Sequence, residues 1–263
     1  MKPLVLALAA AALPVSALPV AAHAGETACW FEQGVIVAPA SIDGLAGDYI
    51  LDTGSAVTQL HETKAQGAGL VEPDQRGPVR IAGLTLPDRP FVIADLDART
   101  YAFPTPIAGV IGADLLSAYV VEVSFAPCKV AIYPRAQAPR VRAAVRDLPL
   151  RLAGGVATTR AAVADGPRAR AGDFVISTGS DTAVRVSESL ASVPGAAKPQ
   201  DLLPYGETRA QLRAASFAGT LFENLPSGLA DTEADGIIGA PLLARWRLRF
   251  DFPGGKLLLA PAG

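Results

Sequence analysis

The hydrophobic positions of this chain fall in short runs. These runs alternate with polar residues or stop abruptly at glycine, proline or aspartate, as strands joined by tight turns do. Residues 30–39 alternate loosely and predict a strand. Residues 41–48 set turn residues, Asp43 and Asp48 among them, on either side of a short apolar step. They predict a hairpin feeding Tyr49-Ile50-Leu51, which suits a buried strand. Residues 61–70 admit a short helix or a loop. Residues 79–86 and 89–94 predict consecutive strands about a turn at Pro87-Asp88. Residues 113–118 predict one short helix after Gly112, residues 119–125 a strand, and residues 129–133 its hairpin partner.

The apolar run at 49–51 ends in a carboxylate, and the chain then turns through Asp52-Thr53-Gly54-Ser55. Gly54 allows the tight path that keeps the carboxylate close to main-chain N–H groups. Thr53 and Ser55 add hydroxyls able to hold the loop. A buried, hydrogen-bonded carboxylate on a rigid turn suits acid–base work on a bound water. About sixty residues later comes Val110-Ile111-Gly112-Ala113-Asp114-Leu115-Leu116. The order then repeats: Phe174-Val175-Ile176-Ser177-Thr178-Gly179-Ser180 matches the first loop with Ser177 where Asp52 stood. Ile237-Ile238-Gly239-Ala240-Pro241-Leu242-Leu243 matches the later segment.

The ends of the two copies align at an offset of 127 residues: Tyr119 with Trp246, Val121 with Leu248, Val123 with Phe250 and Lys129 with Lys256. Residues 246–252 alternate strictly, as a half-buried strand should, and Pro253-Gly254-Gly255 turns them into a partner at 256–259. A long period in two copies argues for a duplicated lobe and against a solenoid. Residues 134–147 carry Arg135, Arg140, Arg142 and Arg146 among prolines and read as a solvated linker. A basic binding stripe is the alternative. The halves are then residues 25–133 and 148–263.

This paired motif order resembles the aspartic peptidases of the retropepsin and pepsin type. Each of their lobes carries an apolar-Asp-Thr/Ser-Gly loop and a later apolar-apolar-Gly segment. The resemblance implies an all-β, bilobal acid-protease-like fold with short helices after the apolar-apolar-Gly segments. It implies peptide-bond hydrolysis by water activated between two facing carboxylates, with no cofactor. Asp52, Thr53 and Gly54 match the first catalytic loop. Ser177 stands where the second catalytic Asp is expected, and a hydroxyl cannot cycle a proton near neutral or acid pH. Two function classes therefore stay open: an aspartic-type endopeptidase working from Asp52, and a non-catalytic peptide- or protein-binding relative.

Three routes around the missing carboxylate are a homodimer pairing two Asp52 residues, recruitment of Asp173 or Asp181, and binding without cleavage. In the resembled family a hairpin between the two motifs closes over substrate. Residues 70–105 occupy that interval without marking which hairpin it is. Tyr101 and Phe103 are candidates to line a cleft, with core or rim packing as the alternative.

Composition narrows the setting. Met1 to Ala24 reads as a secretory signal: Lys2, an apolar stretch over residues 4–13, and Ala22-His23-Ala24 as a small-x-small cleavage site. An uncleaved membrane anchor is the alternative, interrupted by Pro14 and Pro19. Export places the protein in the periplasm or outside the cell. There Cys29 and Cys128, the two cysteines, are expected to bridge; lipidation of Cys29 is the alternative. A formal charge of −2 gives no reason to expect nucleic acid. After signal removal His61 is the one histidine left, and no Gly-x-Ser-x-Gly elbow accompanies it. Zinc sites draw on several His or Cys ligands that this chain lacks. A peptide or protein segment is the expected partner.

Overall fold

The computed structural model describes residues 25–141, 146–165, 169–191 and 210–262. The expected signal segment and residues 142–145 of the expected linker lie outside these. Among the described residues, strands dominate and the helices are short, the longest being Glu62–Gly67.

Each half of the chain closes a barrel of six strands. In the first, Val35–Ile42, Leu45–Leu51, Ile107–Ile111, Gln59–His61, Leu84–Ala94 and Asp74–Ile81 are neighbours in that order. Pairing of Ala40 with Ile81 and of Ile42 with Val79 closes the ring. In the second, Val156–Ala164, Arg170–Ser177, Gly236–Gly239, Val184–Ser187, Thr220–Ala230 and Ala210–Phe217 follow the same order. Closure leaves few free edges and turns alternate side chains inward. Ile36, Ile42, Leu51, Leu60 and Leu84 fill one interior, and Phe174, Ile176, Val184 and Phe217 lie in the other. The two halves share one continuous apolar core.

The terminal strands of the two halves leave their barrels and pair with each other. Val120–Phe125 and Trp246–Asp251 run antiparallel at the centre of a six-stranded sheet beneath both lobes. Leu248 lies opposite Val123 and Phe250 opposite Val121. The residues aligned by the repeat thus exchange partners, as two copies about a local two-fold axis must. Arg146–Pro149, at the end of the expected linker, forms an edge strand of this sheet. Cys29 and Cys128 are bridged as expected, with Cα atoms 5.0 Å apart, tying the first strands of the amino-terminal half to this sheet.

Two local expectations fail. Residues 30–39 are not one strand, because a turn at Gln33-Gly34 splits them into Trp30–Glu32 and Val35–Ile42. The hairpin turn expected at Pro87-Asp88 lies instead at Ala82-Gly83, both with positive φ, the geometry that two-residue hairpin turns require. Pro87 and Asp88 sit within the long strand Leu84–Ala94, opposite a register shift between Gly77 and Val79. A bulge there, with Pro87 and Asp88 opposite a single residue of the partner strand, accommodates the proline.

Tyr49, at the end of the strand before Asp52, has no solvent exposure, and its hydroxyl donates to Leu45 O at 2.6 Å. Burial pushes its phenol up to about 12, against a smaller opposing effect of the Ile42 backbone. A raised folded-state value means this contribution is intact below the ordinary tyrosine range and is lost as pH climbs towards 12. Across that window it amounts to about 2–3 kcal/mol. Urea midpoints taken from about pH 9 to 11 should therefore fall more steeply for wild type than for Tyr49→Phe. Parallel curves would show that another group governs the alkaline loss.

Candidate active site and its plug

Asp52 and Ser177 meet where the two barrels touch. Leu45–Leu51 pairs in parallel with Ile107–Ile111, so Asp52 emerges at the carboxyl end of a buried strand, its N–H donating to Ile111 O at 3.0 Å. Arg170–Ser177 pairs in parallel with Gly236–Gly239 and delivers Ser177 in the same way. Both residues are buried, at 5% and 3% exposure.

The loops are locked by reciprocal bonds. Thr53 Oγ1 donates to Ile176 O at 2.5 Å, and Thr178 Oγ1 donates to Leu51 O at 2.6 Å. Thr53 N donates to Thr178 Oγ1 at 3.2 Å, and Thr178 N to Thr53 Oγ1 at 3.3 Å. Each threonine thus satisfies two backbone groups of the opposite half. Outside this square, Ile36 N donates to Thr178 O and Ala157 N to Thr53 O. The glycines make the approach possible. A Cβ on Gly54 would lie 2.6 Å from the Ser177 Cβ, and one on Gly179 would lie 2.5 Å from the Asp52 Cβ and Cγ. Each loop gives up a side chain so that the opposite functional residue fits.

Both oxygens of the Asp52 carboxylate accept hydrogen bonds. Its Oδ1 accepts from Gly54 N at 2.7 Å, Ser177 Oγ at 2.7 Å and Gly179 N at 3.3 Å. Its Oδ2 accepts from Arg99 Nη2 at 2.6 Å, which also donates to Gly179 O at 3.1 Å. The guanidinium lies across the carboxylate from within the cleft, 30% exposed.

Arg99 is the residue that sequence reading missed. It rides on a strap, residues 95–106, between the long strand Leu84–Ala94 and the buried strand Ile107–Ile111, and on its one helical turn, Asp97–Thr100. The β-hairpin within residues 70–94 belongs to the barrel wall, and the strap is what reaches over Asp52. Tyr101 and Phe103, the aromatic candidates, both line the cleft from the strap. His61 is neither a surface residue nor a partner of Ser177. It is buried, its Nδ1 accepts from Thr63 N at 3.3 Å to cap a short helix, and its Nε2 lies 3.2 Å from Asp97 Oδ1. Asp181 lines the cleft but is held by Arg185 at 2.8 Å, while Asp173 lies near Arg160 and Arg151 on the barrel wall. Neither carboxylate bonds Asp52.

The cleft encloses about 500 Å³ between the lobes. A slightly larger hollow of about 550 Å³ lies on the connecting sheet around Glu122, Tyr133 and Arg249 and contains neither loop, so size does not mark the site. Among the described residues no group of three or more His, Cys, Asp or Glu is placed to hold a metal. No described helix is long and apolar enough to cross a membrane.

No protein-family model matches the chain, and no curated protein does. Among solved structures it is similar to an aspartic proteinase from Irpex lacteus, with a TM-score of 0.55 at 12% identity, over 91% of this chain and 97% of that one. At that identity the likeness establishes the fold, which is bilobal, all-β and acid-protease-like.

Proposed function

We propose that this protein is a non-catalytic member of the acid-protease-like fold that binds a peptide or protein segment in the cleft between its lobes. One observation carries the reading: both oxygens of Asp52 are occupied by donors, Ser177 on one and Arg99 on the other. Water activation needs a carboxylate oxygen facing the water and a second acid–base group to polarise the carbonyl. Arg99 fills the first place, and Ser177 cannot serve as the second. Asp52 faces Ser177 of its own chain, which supports a single-chain cleft rather than an Asp52–Asp52 site shared by two copies. The disulfide supports an exported location, because such bonds persist in oxidising compartments.

The competing reading, an aspartic-type endopeptidase using Asp52, draws on the fold likeness and on the placement of Asp52 at the carboxyl end of its strand. A peptide mixture incubated with wild type from about pH 3 to pH 8 separates the two. The expected result is retention of peptides in pull-down at neutral pH with no new cleavage products by mass spectrometry. Cleavage that disappears in Asp52→Asn would establish the peptidase.

A further inference from the structure

We infer that Arg99 is a tethered occupant of a cation subsite, and that the cleft takes peptides whose guanidinium or ammonium group replaces it on Asp52. The inference rests on the binding reading above and specifies the chemistry of its ligand.

The acceptors are built independently of Arg99. Asp52 Oδ1 is fixed by Gly54 N, Ser177 Oγ and Gly179 N. Its Oδ2 and the Gly179 carbonyl are thereby aimed at one point, where Arg99 Nη2 now sits. With Arg99 withdrawn, a nearly buried carboxylate would face the cleft without its counter-charge. Such a group is costly to leave unpaired, and a second cation is the ligand that restores the balance. The cleft continues beyond this point along apolar Val35, Phe103, Leu229 and Ile237, a surface for the aliphatic stem of a basic side chain.

The tether is slight. The turn Asp97–Thr100 contributes no buried residue, and its first N–H is held by the exposed Asp95 carboxylate at 2.8 Å. Leu96 is its buried anchor, and the His61–Asp97 contact joins a buried imidazole to a carboxylate that is 77% exposed. Segments with few buried contacts open at low free-energy cost. An anionic ligand, by contrast, would find both guanidinium groups of the cleft already paired, Arg99 with Asp52 and Arg185 with Asp181. Asp231 adds a third carboxylate to the lining, so acid exceeds base there.

The experiment uses Nα-acetyl-arginine methylamide as probe and its citrulline counterpart as the uncharged control, with calorimetric titration of the mature protein. Occupancy by an internal competitor lowers apparent affinity by the fraction of open molecules. Arg99→Gln should therefore bind the arginine probe at least about tenfold more tightly than wild type. It should bind citrulline no better than wild type does, and Asp52→Asn added to it should abolish the gain. Asp97→Ala, which loosens the strap and leaves both the carboxylate and Arg99 in place, should also raise affinity for the arginine probe. It keeps the test open if Arg99→Gln folds poorly. Equal binding of arginine and citrulline by these variants, or no gain over wild type in either, overturns the subsite and leaves the non-cleaving reading standing. Arginine-selective binding by these variants together with peptide cleavage by wild type would uphold the subsite and overturn the non-cleaving reading.

Discussion

Arg99→Gln combined with Ser177→Asp is expected to cleave peptides at acid pH at about 10²-fold or more above wild type, the size of effect that a restored acid–base group supplies. The two-fold relation of the loops provides the room. Gly179 leaves space for the Asp52 side chain, and Gly54 leaves the matching space at position 177. An Asp there would place its carboxyl group close to Asp52, since Ser177 Oγ already lies 2.7 Å from Oδ1. Two carboxyls at that range cannot both ionise, so one titrates above the ordinary value of about 3.9 and the pair shares a proton. Ser177→Asp alone should not suffice, because Arg99 would neutralise the new pair and keep its place where the water must lie. That departs from what the sequence suggests, which is that one carboxylate is all the site lacks. A quenched-fluorescence peptide assay across the acid range should show activity in the double variant, none in Ser177→Asp, and its loss when Asp52→Asn is added. Equal gain in Ser177→Asp and the double variant would show that Arg99 does not plug the site.

What the chain discloses before folding follows from how locally each feature is determined. The Asp52 loop was legible because strand, carboxylate and glycine are consecutive. The second loop was legible because it repeats the first with one substitution. The disulfide followed from two cysteines and the expectation of export. Arg99 was not legible. It is one of many arginines, its strap has no motif, and its contact with Asp52 spans 47 residues. The hairpin turn at Ala82-Gly83 was hidden for a related reason. Ala82 has no intrinsic preference for positive φ, whereas Pro87-Asp88 advertises a turn that the barrel register converts into a bulge. The contact of His61 with Asp97 was hidden because it depends on where the strap lies. Strict alternation at 246–252 identified a strand, but its partner at 120–125 is a consequence of the two-fold axis and not of either segment.

Thr178→Val is expected to destabilise the protein by about 3 kcal/mol, because it removes one oxygen that serves two buried backbone groups of the opposite lobe. Valine preserves shape at this position, so packing should contribute little. What remains is Leu51 O without its donor and Thr53 N without its acceptor, each a group whose desolvation costs roughly 1–3 kcal/mol when unpaired. For a chain of this size that corresponds to a fall in Tm of roughly 6–12 °C. Thr53→Val should cost a similar amount through Ile176 O and Thr178 N. The two losses should not add in the double variant. Once either threonine is gone the loops can part enough for water to reach the freed groups, so the second substitution meets a site already opened. The same opening should loosen Gly179 and with it the second acceptor of Arg99, so each variant should also bind the arginine probe with altered affinity. A calorimetric Tm within about 2 °C of wild type for Thr178→Val would show that the connecting sheet alone holds the lobes together, and that the threonine square positions the loops without bearing on stability.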